Sequence, residues 1–150
     1  MKKLTLQLIA AAICLLWSYN IGTACICVNS KTPAQEFEAV EAVFSGKVVE
    51  MTEIKTGEDV LEGYLVKFSV EKSWKLINQS EVVIFTAGVG MCGFPFDIGE
   101  TYLVYAVRKD RKELTTRTCR KTAKLEYAKE ELKDLEEREQ LKVSKKEDSQ

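Results

Sequence analysis

The sequence Cys25-Ile26-Cys27 follows directly on an apolar leader, and the interpretation of the rest of the chain depends on it. The leader begins with Met1-Lys2-Lys3, continues as a mostly apolar run over residues 4–17, and ends in small residues before Cys25. This is the pattern of a secretory signal peptide, so we predict that residues 1–24 are cleaved. Cys25 then becomes the first residue of the mature protein and carries a free α-amine.

The apolar run is short for a membrane-spanning segment, because Ser18, Tyr19 and Asn20 interrupt it early. We therefore expect no membrane span, and an uncleaved amphipathic anchor is the alternative to cleavage. Without Lys2 and Lys3, the 22 basic and 23 acidic residues of the chain become 20 and 23, a net charge of −3. That near-balance offers no electrostatic basis for binding nucleic acid or an anionic membrane.

The cysteines predict a stapled N-terminus. Cys14 leaves with the leader, and the remaining four, Cys25, Cys27, Cys92 and Cys119, imply two disulfides in an exported chain. A bond between Cys25 and Cys27 would close a very small, strained ring, which leaves the two patterns in which each of them reaches a distant partner. Zinc ligation by the four cysteines is a weak alternative, because structural zinc sites usually place two to four residues between paired ligands. A Cys-X-Cys redox role is equally weak, because nothing nearby in the sequence would lower a thiol pKa.

The chain contains no histidine, which removes the Ser-His and Cys-His nucleophile arrangements and most catalytic zinc sites. The acidic residues cluster in a polar stretch over 52–62 and near the C-terminus, where solvation explains them. The glycines between 88 and 93 lack the Gly-Lys-Ser/Thr of a phosphate-binding loop. The basic residues at 108–109 and 117–121 lack interleaved aromatics, so nucleic-acid binding is unsupported. We predict a protein that is not an enzyme and has no cofactor or metal of its own.

The middle of the chain predicts a mainly β domain over residues 25–122. Thr32, Pro33 and Gln35 form a capping-box start for a short helix. Alternation, β-branched residues and turn signals predict five strands and two long connections. The strands are predicted at 42–50, 64–74, 81–86, 101–107 and 114–119, with a bulge at Gly46, a loop over 52–63, a rigid connection over 87–99 and a hairpin turn over 108–113. Five short strands flanked by helices favour a small closed antiparallel barrel.

After the last strand the hydrophobic period changes. Leu125, Ala128, Leu132 and Leu135 recur at three- and four-residue spacing, which predicts an amphipathic helix over 123–143. We expect this face to pack on the barrel rather than to bind a partner, and residues 144–150 to form a disordered polar tail.

Several segments together resemble the tissue inhibitors of metalloproteinases. The start Cys25-Ile26-Cys27, with Thr32-Pro33 and Phe37 after it, looks like the start of that family. The third strand with the loop after it, and the last two strands, are similar to the corresponding parts of the family. These segments are Val83-Ile84-Phe85-Thr86 leading to Met91-Cys92-Gly93, Tyr102-Leu103-Val104-Tyr105-Ala106, and Leu114-Thr115-Thr116 followed by Cys119. The resemblance covers roughly residues 25–122, and the order of the segments makes it specific.

The resemblance implies a netrin-like module with a five-stranded, OB-fold-like barrel, a short N-terminal helix and a longer C-terminal helix. It also implies disulfides from Cys25 to Cys92 and from Cys27 to Cys119. In that family the mature N-terminal cysteine chelates the catalytic zinc of a metalloprotease through its α-amine and carbonyl, and the next side chain enters the specificity pocket. Carried over, Cys25 is the chelator and Ile26 the pocket residue, while Gly90 and Met91 form an adjacent contact ridge.

The implied partner is a zinc metalloprotease. From the signal pattern we expect a protein that is secreted, extracellular or periplasmic, and we expect it to be a monomer. Ile26 stands where the family usually has Thr or Ser, which would weaken binding or direct it to a protease with a deeper apolar pocket. The family's early-helix cysteine and its C-terminal disulfide-rich subdomain have no counterpart in this sequence.

Two other functions fit the same residues. The first is a netrin-like binding module of the cell envelope that does not inhibit proteases. The second is a lipoprotein, since Thr23 and Ala24 are small, although Gly22 stands where a lipid-attachment site usually has Leu. Lipidation would acylate the amine and consume the Cys25 thiol.

Overall fold

The computed structural model describes residues 25–27, 31–57, 59–109 and 113–147. The predicted signal peptide lies outside these residues, as do residues 148–150 of the predicted tail. The described part contains two α-helices, two short 3₁₀ helices and six strands. In chain order these are α1 (Pro33–Ala39), β1 (Ala42–Thr56), β2 (Val60–Lys75), β3 (Glu81–Ala87), a 3₁₀ helix (Val89–Met91), β4 (Thr101–Lys109), β5 (Glu113–Thr116), β6 (Ala123–Lys124), a second 3₁₀ helix (Leu125–Tyr127) and α2 (Lys129–Glu147).

Five of the strands form a ring of pairings in the order β1-β2-β3-β5-β4, which returns from β4 to β1. The β1–β2, β2–β3, β4–β5 and β1–β4 pairs are antiparallel. The β3–β5 pair is parallel and short, joining Phe85 to Thr115 and Thr86 to Thr116. The mainly β fold with an N-terminal and a C-terminal helix is therefore confirmed. The prediction that every pair is antiparallel is wrong, because direction cannot alternate around a ring with an odd number of strands.

The hairpin between β1 and β2 is longer than predicted. The stretch 52–63 was expected to be a loop, but its ends continue the two strands, with Glu53 opposite Tyr64 and Thr56 opposite Val60. The chain reverses at Gly57 and Asp59, both of which have positive φ. The prediction failed because strand pairing uses backbone groups, so polar side chains can occupy an exposed ribbon. The predicted irregularity at Gly46 is confirmed, since the β1–β2 register shifts between Ser45 and Gly46.

The main core joins residues of all five strands of the ring with Phe96 of the connection before β4. Phe68 meets Phe44 edge-on at 5.5 Å and Phe96 edge-on at 5.2 Å, and Phe96 meets Tyr102 at 4.9 Å. The Tyr102 hydroxyl reaches the end of the core and accepts a hydrogen bond from the Asp97 backbone N–H at 2.9 Å. The long connection before β4 is therefore anchored by its aromatic side chains.

A second core lies between the sheet and the two helices. It combines residues of α1, β1, β4 and α2 with the segment joining α1 to β1. Its buried members are Phe37, Val40, Val43, Leu103, Tyr105, Ala128 and Leu135, with Leu125 and Leu132 packed against them. The prediction that the Leu125–Leu135 face packs on the sheet is confirmed.

The bounds of the C-terminal helix differ from the prediction. Ala123 and Lys124 pair with β4 as β6, and residues 125–127 form a 3₁₀ turn closed by the Ala128 N–H donating to Leu125 O at 3.2 Å. The helix therefore begins at Lys129, after the chain has completed its pairing with β4. It continues to Glu147, so residues 144–147 of the predicted tail are helical.

Two further predictions concern the start of α1 and the end of β5. The capping box is confirmed, because Thr32 Oγ1 accepts from Gln35 N at 3.2 Å and Gln35 Oε1 accepts from Thr32 N at 3.1 Å. The predicted fifth strand over 114–119 ends at Thr116, because the Thr118 backbone N–H bonds to the Cys92 carbonyl instead. Within the described residues, no helix is long and apolar enough to cross a membrane.

Candidate functional site at the N-terminal disulfides

Two disulfides attach the Cys25–Cys27 segment to the domain. Cys25 is bonded to Cys92, with 5.7 Å between their Cα atoms, and Cys27 is bonded to Cys119, with 5.2 Å. This is the pairing that the family resemblance implied. The sequence separations are 67 and 92 residues, so a three-residue segment is held to two distant parts of the chain.

Cys92 is held by the backbone of the segment before it. Val89–Met91 form a 3₁₀ turn in which the Met91 N–H donates to Gly88 O at 2.8 Å. Cys92 closes this turn in the left-handed conformation, with φ 61°, and its N–H donates to Val89 O at 3.1 Å. The position to which Cys25 is tied is therefore set by short-range hydrogen bonds.

The residues that follow Cys92, Gly93 and Phe94, pack tightly against β3. A Cβ on Gly93 would collide with the Ala87 carbonyl oxygen, so glycine is required there for a close approach of two backbones. Thr86 Oγ1 accepts from the Phe94 N–H at 2.8 Å and donates to Phe94 O at 3.1 Å. These contacts hold the residues after Cys92 along the end of β3.

Thr118 connects the two disulfide regions. Its backbone N–H donates to Cys92 O at 3.0 Å, and its Oγ1 donates to Gly93 O at 2.8 Å. Because Thr118 precedes Cys119 in the chain, these bonds hold Cys119 close to the Cys92 turn. The neighbouring Arg120 binds the buried Glu36 of α1 at 2.6 Å, which ties the same loop to the first helix.

The side chains beside these disulfides are exposed and apolar. Ile26 is 84% exposed, Val89 65% and Met91 54%, and a Cβ on Gly90 would meet nothing within 4 Å. We call Ile26, Val89, Gly90 and Met91 the exposed apolar ridge, which includes Gly90 and Met91, the two residues of the contact ridge that the resemblance implied. Of these residues, sequence reasoning singled out Ile26, Gly90 and Met91 and missed Val89, although an apolar residue between two glycines in the segment before Cys92 was a usable signal.

Two hollows, or surface pockets, border the Val89–Met91 turn. The hollow beside Val89 measures about 200 Å³ and is apolar; the hollow beside Met91 measures about 450 Å³ and is more polar. The first is lined by Met51, Tyr64, Ala87, Val89, Phe94, Pro95 and Phe96, and the second by Phe85, Ala87, Met91, Val107, Arg108, Thr115, Thr116 and Arg117.

The exposed apolar ridge carries no titratable side chain, and the cysteines beside it are bonded in two pairs, Cys25 to Cys92 and Cys27 to Cys119. Across the described residues, no cluster of three or more His, Cys, Asp or Glu side chains could hold a metal ion. The backbone carbonyls of this site, including that of Cys25, are groups that can donate electron pairs to a metal ion. No protein-family model and no curated protein sequence matches this chain.

Proposed function

We propose that the mature protein is an exported inhibitor of zinc metalloendopeptidases that places Cys25 over the catalytic zinc of its target. The observation that carries the proposal is the position of Cys25. A disulfide holds it beside an exposed apolar ridge, while the next side chain, Ile26, is 84% exposed. A backbone segment presented in this way can enter a cleft without unfolding any other part of the domain.

The chemistry requires the free α-amine of a mature N-terminus. A catalytic zinc keeps one coordination position open for water, and the α-amine nitrogen and carbonyl oxygen of one residue can displace that water as a five-membered chelate. The amine must be neutral to bind the metal. Its reference pKa of about 7.7–8.0 means that deprotonation costs little near neutral pH.

Rigidity favours binding, and the chelating terminus resists cleavage. A flexible terminus would lose conformational entropy on binding, whereas one tied at Cys25 and Cys27 has lost most of it already. The α-amine takes the coordination position of the catalytic water, so no water is held at the zinc to hydrolyse the Cys25–Ile26 bond.

The remaining contacts follow from the same geometry. Ile26 enters the specificity pocket of the target, and its size favours a deep apolar pocket. Gly90 and Met91 contact the protease beside the cleft, and the exposed side chain of Val89 extends this surface. The exposed apolar area of these residues is what such an interface would bury.

We assign the ring of strands to a closed barrel of the OB type within a netrin-like module. The ring order β1-β2-β3-β5-β4, with one short parallel β3–β5 contact, supports this assignment. The two disulfides support an oxidising compartment, and we place the protein outside the cytoplasm on that basis. We further propose that it acts as a monomer after removal of residues 1–24.

The test compares two versions of the mature protein that differ by one residue. One begins at Cys25 and the other carries a single alanine before Cys25, and both are confirmed as disulfide-bonded by mass. Against a panel of zinc endopeptidases, we expect the first to inhibit and the second to lose at least about a hundredfold in potency, roughly 2.7 kcal/mol of binding free energy, because its amine is displaced from the metal. Equal potency would rule out the chelation mechanism.

The protease panel and the mass of the natural protein also distinguish the two alternative functions, a binding module and a lipoprotein. A panel in which no protease responds at high micromolar protein would favour a netrin-like binding module without inhibitory activity. A lipoprotein would require the Cys25 thiol, which the bond to Cys92 uses. The intact mass of the natural mature protein decides between two disulfides with a free amine and an added diacylglyceryl group.

A further inference from the structure

The two disulfides differ in their exposure to solvent. Cys27 and Cys119 are both exposed, whereas Cys25 and Cys92 are both partly buried. Thiol–disulfide exchange begins when a thiolate attacks one of the two sulfurs, and its rate depends on access to that sulfur. The Cys27–Cys119 bond is therefore the more accessible of the two.

The chain around Cys92 is also more buried than the chain around Cys119. Cys92 lies between the Val89–Met91 turn and the closely packed Gly93; its N–H donates to Val89 O and its carbonyl accepts from the Thr118 N–H. Cys119 lies in a short turn between β5 and β6, closed by the Arg120 N–H donating to Arg117 O at 3.0 Å. Thr118 and Arg120 also fasten the Cys119 turn, through Cys92 O and Glu36, but both cysteines of the Cys27–Cys119 bond stay exposed, so a thiol reaches this bond more easily than Cys25–Cys92.

Basic residues flank Cys119 in the chain. Arg117, Arg120 and Lys121 all lie within two positions of it in the chain. Arg120 is paired with Glu36 at 2.6 Å and Lys121 with Glu131 at 3.3 Å, so their charges are largely compensated. Arg117 is exposed and has no ion pair with any described residue. A nearby uncompensated cation stabilises a thiolate, and a thiol of lower pKa leaves faster.

We propose that Cys27–Cys119 is a redox-labile disulfide that small thiols such as glutathione open ahead of Cys25–Cys92. A glutathione thiolate attacks Cys27 Sγ, the bond to Cys119 Sγ breaks, and Cys119 leaves as a thiolate. A second glutathione thiolate attacks the glutathione sulfur of the mixed disulfide and releases Cys27 as a thiolate together with glutathione disulfide. The protein gains two electrons, and two glutathione molecules are oxidised.

Opening this bond would loosen the N-terminal segment without detaching it. Cys25 stays bonded to Cys92, but the restraint two residues further on is lost. Regulation of inhibition by this step rests on the proposed function, since it acts through the rigidity of the chelating terminus. The order in which the two disulfides are reduced does not depend on that function.

The order of reduction can be measured directly. The oxidised mature protein is incubated with glutathione at neutral pH, samples are quenched with N-ethylmaleimide at increasing times, and the label on each cysteine is quantified by mass spectrometry after digestion. We expect Cys119 to be labelled first and Cys27 once its mixed disulfide is resolved, both roughly tenfold faster than Cys25 and Cys92. Equal rates, or faster labelling of Cys25 and Cys92, would overturn the proposal.

A charge variant tests the reason for the difference. Arg117→Gln should slow labelling of Cys27 and Cys119 about two- to threefold and leave Cys25 and Cys92 unchanged, because the cation near the leaving thiolate is removed. Lys133→Gln, on an exposed lysine of α2, is the matched control and should change neither rate. An unchanged rate in the Arg117 variant would remove the electrostatic explanation. Since the readout uses no protease, a failure of inhibition would be recognised separately.

Discussion

The Cys25–Cys27 segment and helix α2 are both attached to the same ring of strands, but by different forces. The N-terminal segment is held by two covalent bonds, and its central side chain is 84% exposed. Helix α2 is held by a buried apolar face, with Leu135 fully buried, and by ion pairs such as Lys72–Glu139 at 2.7 Å. A covalent restraint leaves side chains free to meet a partner, whereas apolar packing consumes the side chains that provide it.

Removing one disulfide should have the largest effect on stability. The Cys25→Ser/Cys92→Ser double variant opens a loop of 67 residues, and the chain-entropy estimate is a loss of about 4 kcal/mol in the free energy of unfolding. Urea unfolding followed by circular dichroism measures it. Helix α2 should keep its signal at low urea, because none of its contacts involve this bond. A loss below about 1 kcal/mol would show that the segment is held by something other than the disulfide.

On the helix side, Leu135→Ala should lower the free energy of unfolding by about 3 kcal/mol, because the truncation leaves a cavity against Val43, Leu103 and Tyr105. The control is Leu141→Ala on the same helix, where the leucine is 62% exposed and the change should stay within about 0.5 kcal/mol. Similar changes in both variants would show that the burial of Leu135 is not what attaches α2.

The turn that positions Cys92 gives a sharper comparison between two glycines three residues apart. Gly93→Ala should cost about 2 kcal/mol or more, because the new Cβ collides with the Ala87 carbonyl oxygen and the backbone must move. Gly90→Ala meets open space and should change stability by less than about 0.5 kcal/mol. If the Gly93 variant were as stable as the Gly90 variant, the close approach to β3 would not be what holds the turn.

The smallest effect at neutral pH is expected from Tyr105→Phe. The Tyr105 hydroxyl is buried without a hydrogen-bond partner among the described residues, so its removal should change the free energy of unfolding by less than about 1 kcal/mol at pH 7. Burial, reinforced by the nearby Glu131 and Asp134 carboxylates, raises the pKa of Tyr105 well above its ordinary value of 10.0. The unfolded chain then ionises above pH 10 while the folded protein resists ionisation, so stability falls as pH rises past 10.

Urea midpoints measured from pH 8 to 11 test this, since the Phe variant cannot ionise at residue 105. The fall in midpoint should be shallower in Tyr105→Phe than in the natural protein. Tyr127→Phe, at a tyrosine that is 73% exposed, is the control and should follow the natural protein more closely. Identical pH profiles for all three proteins would show that Tyr105 ionises as easily folded as unfolded.

Much of the fold was predictable, and the failures have identifiable causes. Alternation found the core of β2, from Tyr64 to Trp74, and the capping box found the start of α1, because both signals are local. The loop expected over 52–63 was wrong, since the hairpin there is built from backbone pairing that polar side chains do not reveal. The start of α2 was misplaced by the short β6 pairing with β4, which involves residues about twenty positions apart in the chain.

The sequence by itself determined which groups are available. It placed four cysteines in the predicted mature chain, excluded histidine chemistry, and predicted the apolar face of the C-terminal helix, because composition and periodicity are properties of the chain alone. The tertiary structure decided which cysteines meet, which side chains stay exposed beside them, and that one pair in the ring is parallel. Those outcomes depend on contacts between residues tens of positions apart, such as Thr118 with Cys92 and Arg120 with Glu36, and no local pattern encodes them.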